Sequence, residues 1–477
     1  MLPGGALMGV ERVAGGVPRS GLQVGRGVSR RGVWADVDLE AIRQNAGLMV
    51  RIVAPARLCG VVKANAYGHG AVPVARAALD GGASMLAVAL LEEAIELRDA
   101  GVEADILMLQ ELPVWYSKGD LAEALAAGVI PTVCTSEGIE RLAAAARAVA
   151  GSGTLGGRRG TPRSGAPAER GPIAGSGALA AGGGGSQGGG GRIGVHLKVD
   201  TGMHRIGCAP GEVPALVRLI DGFGSELRLE GMWSHLAVAD SGTSEDREYT
   251  ERQIGLFRRL VQEHAADRDV LEHLANSAAA IAYPDSCLSM IRSGIALYGE
   301  SPSRAVAARL GRLLESGGEL RDPGGDPVEG HPARDGANGE AGLVPALSLK
   351  ARVSHVSQLE RGERISYGLN YALPDRAPVA TVPVGYADGV RRSLFAAGGE
   401  VLIRGRRCPI AGTVTMDQLM VDCRAAGDVV PGDEVVLIGR QDGESITASD
   451  VAARIGTIGY EVLSSISARV PRRHTGV

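Results

Sequence analysis

The constraint that most narrows the fold is a change of hydrophobic period part-way along the 477 residues. Over 33–302, short β-rich runs alternate with helical patterns, whereas over 343–477 the runs are β-rich and separated by turn signals. Eight candidate strands occupy 58–62, 85–90, 105–109, 130–135, 194–199, 229–234, 271–275 and 288–292. Helical patterns lie between them, at 91–100, 136–150 and 245–266 among others. Eight β–α repeats in roughly 260 residues predict a (β/α)8 barrel. In the second part, runs such as LKARVSHVSQL, APVATVPVGY and DEVVLIG dominate, and the helical period returns only at 448–455. That pattern predicts a separate, mainly antiparallel β domain.

Glycine marks the segments outside these units. Of 71 glycines, 17 fall in the 42 residues of 151–192, which end in GGGGSQGGGGR. This is linker composition, with too little apolar surface to offset the entropy of ordering. A second stretch, 303–342, is rich in Gly, Pro and charge and reads as a flexible insertion or linker with a short helix near 305–314. Residues 1–32 read as a flexible tail. A net charge of -4 supplies no basic excess for nucleic acid or an anionic membrane. Six scattered cysteines without a C-x-x-C argue against a disulfide framework and a structural zinc site, so no metal is expected. They fit a reducing compartment. With no signal-like segment and no 18-residue apolar run, the chain reads as cytoplasmic and not membrane-bound. The G-x-G-x-x-G at 151–156 precedes no βα unit and is set aside as a dinucleotide site.

Active sites of such barrels sit at the C-terminal ends of the strands. Lys63 follows LCGVV there. Partial desolvation lowers a lysine's pKa and suits it to Schiff-base chemistry, although Lys63 alone also reads as a strand-end lysine reaching solvent. Tyr67 shares its side if the loop is helical. Arg205 comes after the fifth strand, His235 ends the sixth, and Asn276 and Ser277 follow the seventh. Arg292 ends the eighth, with Gly294 and Ile295 next. A hydroxyl and backbone N–H groups near a glycine suit a phosphate, and an N-cap serine with a turn glycine is the other reading.

The segments VVKANAYGHG, HLKVDTGMHRIG, HLANSAAA, RSGIALYG, ISYGLNY, VPVGYADG and TVTMDQLMVD occur in this order. In them the chain resembles the alanine racemases, over 33–473 apart from the two insertions. The resemblance implies a pyridoxal 5'-phosphate (PLP) enzyme that interconverts L- and D-alanine and supplies D-alanine for peptidoglycan. Lys63 is then the cofactor lysine. Tyr67, Ser277, Gly294 and Ile295 hold the phosphate, with Asn276 and Tyr386 nearby. Arg292 faces the pyridine nitrogen, and His235 and Arg292 supply a hydrogen-bonded, positively charged neighbourhood for the tyrosine base. Arg205 orients cofactor and substrate. Lys198 matches a position that can carry a carbamate, a plain ion pair being the other reading there. The family is a head-to-tail homodimer, so Tyr367 and Met416 of one subunit complete the site around Lys63 of the other. Lys63 and Tyr367 serve as the two bases, Tyr367 for the L-enantiomer and Lys63 for the D-enantiomer. Ala468, Thr413 and Thr415 depart from residues seen in some members. A broad-specificity amino-acid racemase and a PLP-dependent decarboxylase of the same architecture are the alternatives. The decarboxylase is expected to set a carboxylate, not Arg292, on the pyridine nitrogen. A non-enzymatic PLP-binding protein usually lacks the β domain.

Overall fold

The computed structural model describes residues 30–151, 192–315 and 342–476. The expected insertion at 151–192 and most of the 1–32 tail lie outside them, as does most of 303–342. The first strand, β1 (Val33–Asp38), precedes a closed parallel barrel. The barrel runs β2 (Arg57–Val61), β3 (Met85–Val88), β4 (Asp105–Glu111), β5 (Val129–Val133), β6 (Ile193–Lys198), β7 (Leu227–Trp233), β8 (Leu271–Asn276) and β9 (Met290–Ser293), and β9 pairs back onto β2. These are the eight strands read from the sequence, within a few residues at each end.

Strand alternation divides the barrel's side chains. Cys59, Val61, Met85, Ala87, Leu107, Ile130 and Met290 form one small cluster, while their neighbours along the strands join the large core. On the β5–β8 side the buried groups are polar or polar-tipped: Thr132, His196, Trp233 and His273. The Trp233 indole N–H donates to Thr132 Oγ1 at 3.2 Å, so this half is hydrogen-bonded as well as packed.

The second domain contains β10 (Leu347–Arg352), β11 (His355–Leu359), β12 (Arg364–Ile365), β13 (Tyr371–Ala372) and β14 (Ala377–Val382). It continues through β15 (Glu400–Ile403), β16 (Arg406–Pro409), β17 (Leu419–Asp422), β18 (Glu434–Gln441), β19 (Glu444–Ile446) and β20 (Arg472–Thr475). Its main sheet has the order β16-β15-β18-β10-β1-β20, and β11-β14-β17 make a second sheet. Pairing within the domain is antiparallel apart from β1 with β20.

Two boundaries differ from the sequence reading. That reading groups 33–302 as barrel, but β1 joins the other sheet, pairing antiparallel with β10 and parallel with β20. Its alternation buries Val33, Ala35 and Val37 there. The short helix expected near 305–314 is present as Arg304–Glu315, but it packs on the core through Val306 and Leu310, so the packed chain runs past 302. The two domains interlock behind the lysine loop. Arg472 Nε donates to the Gly68 carbonyl at 2.8 Å, and His474 Nε2 lies 2.8 Å from the His69 carbonyl.

Candidate active site

A cavity of about 440 Å³ opens at the C-terminal ends of the barrel strands. Among the residues singled out from the sequence, Lys63, Tyr67, Lys198, Arg205, His235, Asn276, Ser277, Arg292, Gly294 and Ile295 all line it. Among the described lining residues there is no carboxylate, while two lysines and two arginines are present. Such a cavity favours an anionic ligand.

Lys63 opens a turn, Lys63–Tyr67, of unusual hand. Ala64, Asn65, Ala66 and Tyr67 have φ of 53°, 52°, 51° and 52°. Left-handed helix costs L-residues about 1–2 kcal/mol each, so neighbours must hold it. Glu93 does so from the next β–α unit: its carboxylate accepts the N–H of Ala64 at 2.6 Å and those of Ala89 and Leu90 at 2.9 and 3.1 Å. Asn65 Oδ1 accepts the Ala71 N–H at 2.8 Å. Gly68, with φ +85°, ends the turn, and a Cβ there would sit 2.6 Å from the Leu463 carbonyl oxygen. Burial and then Arg205 lower the pKa of Lys63, against a smaller opposing pull from Glu93.

The turn delivers Tyr67 beside the strand 8 and 9 loops. Its ring lies 4.7 Å from that of Tyr298 and 6.0 Å from that of Tyr460, and burial pushes its phenol up to about 12. A Cβ at Gly294 would lie 2.5 Å from Tyr67 Oη, so only glycine lets the phenol come this close. Ser277 Oγ accepts the Gly294 N–H at 3.0 Å. Asn276 caps the short Ser277–Ala282 helix by accepting from Ala279 N–H.

Arg292 is only 3% exposed and is held by five contacts. Nη1 donates to His273 Nδ1 at 2.9 Å and to the His273 carbonyl at 3.0 Å. Nη2 donates to the Ser234 and Leu274 carbonyls at 2.7 and 3.1 Å and lies 3.3 Å from His235 Nδ1. Nε makes none of these bonds and remains as the guanidinium's free donor toward the cavity. Because Nη1 donates to His273 Nδ1, the His273 proton sits on Nε2 and donates to His196 Nδ1 at 2.9 Å. Burial and Arg292 hold both histidines well below the usual value, His196 at about 3. His235 is held down in the same way by burial and the cations Arg292, Arg205, Lys198 and Lys63. Arg292 therefore carries its charge against neutral imidazoles. Lys198 Nζ lies 4.1 Å from the Trp233 ring centroid and the Arg292 guanidinium carbon 4.5 Å from it.

Three predicted site residues stand apart from this cavity. Tyr367, Met416 and Tyr386, on the β domain, are 71%, 53% and 42% exposed. Sequence reasoning missed Trp233, Tyr460, Glu93 and the His196–His273 pair. One signal was available: His196 and Lys198 are two apart on a strand and so share a face.

Matches to known proteins agree with this geometry. Residues 37–302 match the family model described as alanine racemase, N-terminal domain, and 346–474 match the C-terminal domain. The chain belongs to the alanine racemase family. It is 39% identical to the alanine racemase of Symbiobacterium thermophilum, over 94% of this chain and 98% of that protein. For the Geobacillus stearothermophilus alanine racemase the identity is 36%, over 93% of each chain. Among solved structures, the alanine racemase of Streptomyces coelicolor A3(2) superposes with a TM-score of 0.73 at 31% identity, over 94% of this chain and 99% of that one. That of Bacillus anthracis with bound L-Ala-P gives 0.70 at 32% identity, over 94% and 96%. An alanine racemase is an isomerase, and interconversion of the alanine enantiomers is the reaction of this chain. Among the described residues no helix is long and apolar enough to cross a membrane.

Proposed function

We propose that the chain racemises alanine with PLP and two bases, in a homodimer whose subunits share their active sites. The observation that carries the reading is Arg292, buried, tightly held and with Nε left over, in a cation-lined cavity that also contains Lys63. The donor set fits PLP. The Gly294–Tyr67 approach makes a cradle that a Cβ would fill, and Ser277 and the Gly294 and Ile295 N–H groups adjoin it. Tyr67, Ser277, Gly294 and Ile295 would hold the phosphate, with Asn276 near, whereas Tyr386 stands apart from the cavity. Arg292 would face the ring nitrogen as a hydrogen-bond donor, because arginine does not give up its proton in proteins. Bound there, PLP supplies an electron sink for charge developing at the substrate α-carbon.

The remaining work falls to this chain. Lys63 Nζ, with its pKa lowered by burial, is able to take and return a proton at the α-carbon on one face. One base cannot reach both faces, so Tyr367 of the partner subunit serves the other. Its exposure of 71% in a single chain is what a residue completing a neighbour's site requires. Arg205 orients the substrate carboxylate, joined by the backbone N–H of the partner subunit's Met416. Lys198 would take up CO2 as a carbamate beside Arg205, a reading supported by its pKa, pushed down to about 7 by burial and then Arg292 and Arg205. The setting is cytoplasmic and the product D-alanine feeds peptidoglycan. The arginine at the ring nitrogen separates this reading from a decarboxylase of similar architecture.

Mixing inactive Lys63→Ala and Tyr367→Phe subunits tests it. A heterodimer regenerates one complete site of two, so activity should return after subunit exchange. No recovery after exchange verified by mass spectrometry would refute the shared site.

A further inference from the structure

Tyr367 is presented by a strained and braced segment of backbone. Ser366, Gly368 and Leu369 have φ of +66°, +78° and +50°. Ser366, with ψ of -178°, and Leu369 each bear a side chain at positive φ, a sparsely populated conformation that costs on the order of 1–3 kcal/mol per residue. Such a conformation persists only where neighbours over-determine it. The neighbour is the segment after β16. Thr413 Oγ1 donates to the Tyr367 carbonyl at 2.9 Å, and Ser366 Oγ donates to the Thr413 carbonyl at 2.6 Å. The two residues thus hold each other's backbones reciprocally. Gly412, with φ +88°, lets the strands meet: a Cβ there would be 2.5 Å from the Ile365 carbonyl oxygen and 2.8 Å from Ser366 Cβ. Thr413 is 6% exposed, so its hydroxyl has little access to water as an alternative partner.

The same segment places the other exposed site residues. The Thr415 carbonyl accepts the Tyr386 N–H at 3.0 Å, and the Met416 carbonyl accepts the Ala387 N–H at 3.0 Å. Residues 412–416 form one backing to which Tyr367 and Tyr386 are both pinned and on which Met416 itself stands.

We propose that Thr413 is a positioning residue for the tyrosine base, fixing the Tyr367 backbone through its hydroxyl so that the phenol meets the substrate of the neighbouring subunit at the right distance. This rests on the two-base reading above. The hydroxyl, not the volume, is what matters, so Thr413→Val is the informative change and Thr413→Ser the rescue. Misplacement by about 1 Å can cost a reacting pair roughly 100-fold.

For a racemase acting on enantiomers the equilibrium constant is one, so kcat/KM must fall equally in both directions and carries no facial information. Exchange of the substrate α-hydrogen in deuterated water does. In Thr413→Val, exchange of L-alanine, served by Tyr367, should slow roughly 10- to 100-fold, while exchange of D-alanine through Lys63 stays within about twofold. Thr413→Ser should restore the L rate, and Ser366→Ala should reproduce the loss in milder form. A second readout needs no turnover: backbone amide exchange in the peptide 364–372 should quicken in Thr413→Val and return in Thr413→Ser. Equal loss for both enantiomers, an unchanged L rate, or unchanged amide exchange would overturn the proposal. Tyr367→Phe is the control. If that variant keeps L-alanine exchange, the two-base reading fails, whatever Thr413 does.

Discussion

Lys198→Met would keep the stem packed on Trp233 and remove the ammonium, which isolates the electrostatics of the cavity. Burial, then Arg292 and Arg205, push the Lys198 amine down to about 7, with Cys134 and Asp200 pulling the other way. In the unfolded chain a lysine titrates near about 10.4. The folded value is the lower one, so the ammonium destabilises the fold in full below about pH 7, and the penalty fades as pH rises toward the unfolded value. At about 1.4 kcal/mol per pKa unit, the native chain should gain about 3 kcal/mol on the Lys198→Met variant between roughly pH 7 and pH 9. For a chain of this size that is a few °C, on the order of 1–2 °C per kcal/mol. The assay is Tm against pH for both proteins in CO2-free buffer. The gap should be flat below about pH 7 and should narrow steadily above it. A constant gap through that window would refute the reasoning, since Lys198 would then not be titrating as its surroundings dictate. Adding bicarbonate extends the test. A neutral amine captures CO2 as an anion beside Arg205 and Arg292, so the native chain alone should gain Tm and a labelled carbonyl resonance.

Other outcomes follow from the cradle and the lysine turn. Gly294→Ala should weaken PLP binding about 10- to 100-fold in a fluorescence titration, since one charge-assisted hydrogen bond is about 1.5–3 kcal/mol. Tyr67→Phe removes the atom at 2.5 Å, so the two changes should combine non-additively; simple additivity would show that the clash is not what matters. Glu93→Ala frees three backbone N–H groups and should destabilise the chain by about 2–4 kcal/mol in urea. A loss under about 0.5 kcal/mol would mean the left-handed turn holds itself.

The barrel was legible because short β-rich runs recur eight times and the helical patterns between them restore the longer period. Lys63, Ser277 and Arg292 stand at such strand ends, where the fold class alone makes them conspicuous. What the sequence hid depends on contacts between distant segments. The alternation VWADVD looks the same whichever sheet receives it, so the placement of β1 was invisible. Glu93 reads as an ordinary acid in a helix's first turn, with nothing to indicate that it reaches back to Ala64. Trp233 reads as core, and only the fold reveals two cations against its ring. For Tyr367 the family pattern supplied a role, but the strain at Ser366 and its bracing by Thr413 appear only in three dimensions.

The parallel pairing of β1 with β20 bears on how the chain is made. Arg473 reaches Asp36 across 437 residues, so the main sheet of the second domain is completed by the first and last strands among the described residues. At about 5–20 residues per second, the first strand waits roughly 20–90 s for its last neighbour. The barrel's own strands are all synthesised before β10 exists. Assembly in the cell therefore has an imposed order: the barrel is able to close before the main sheet of the second domain can be completed. Until β10 emerges, β1 is an unpaired strand beside a completed barrel, and until β20 emerges one of its edges stays open, the point at which chaperones or wrong partners have access.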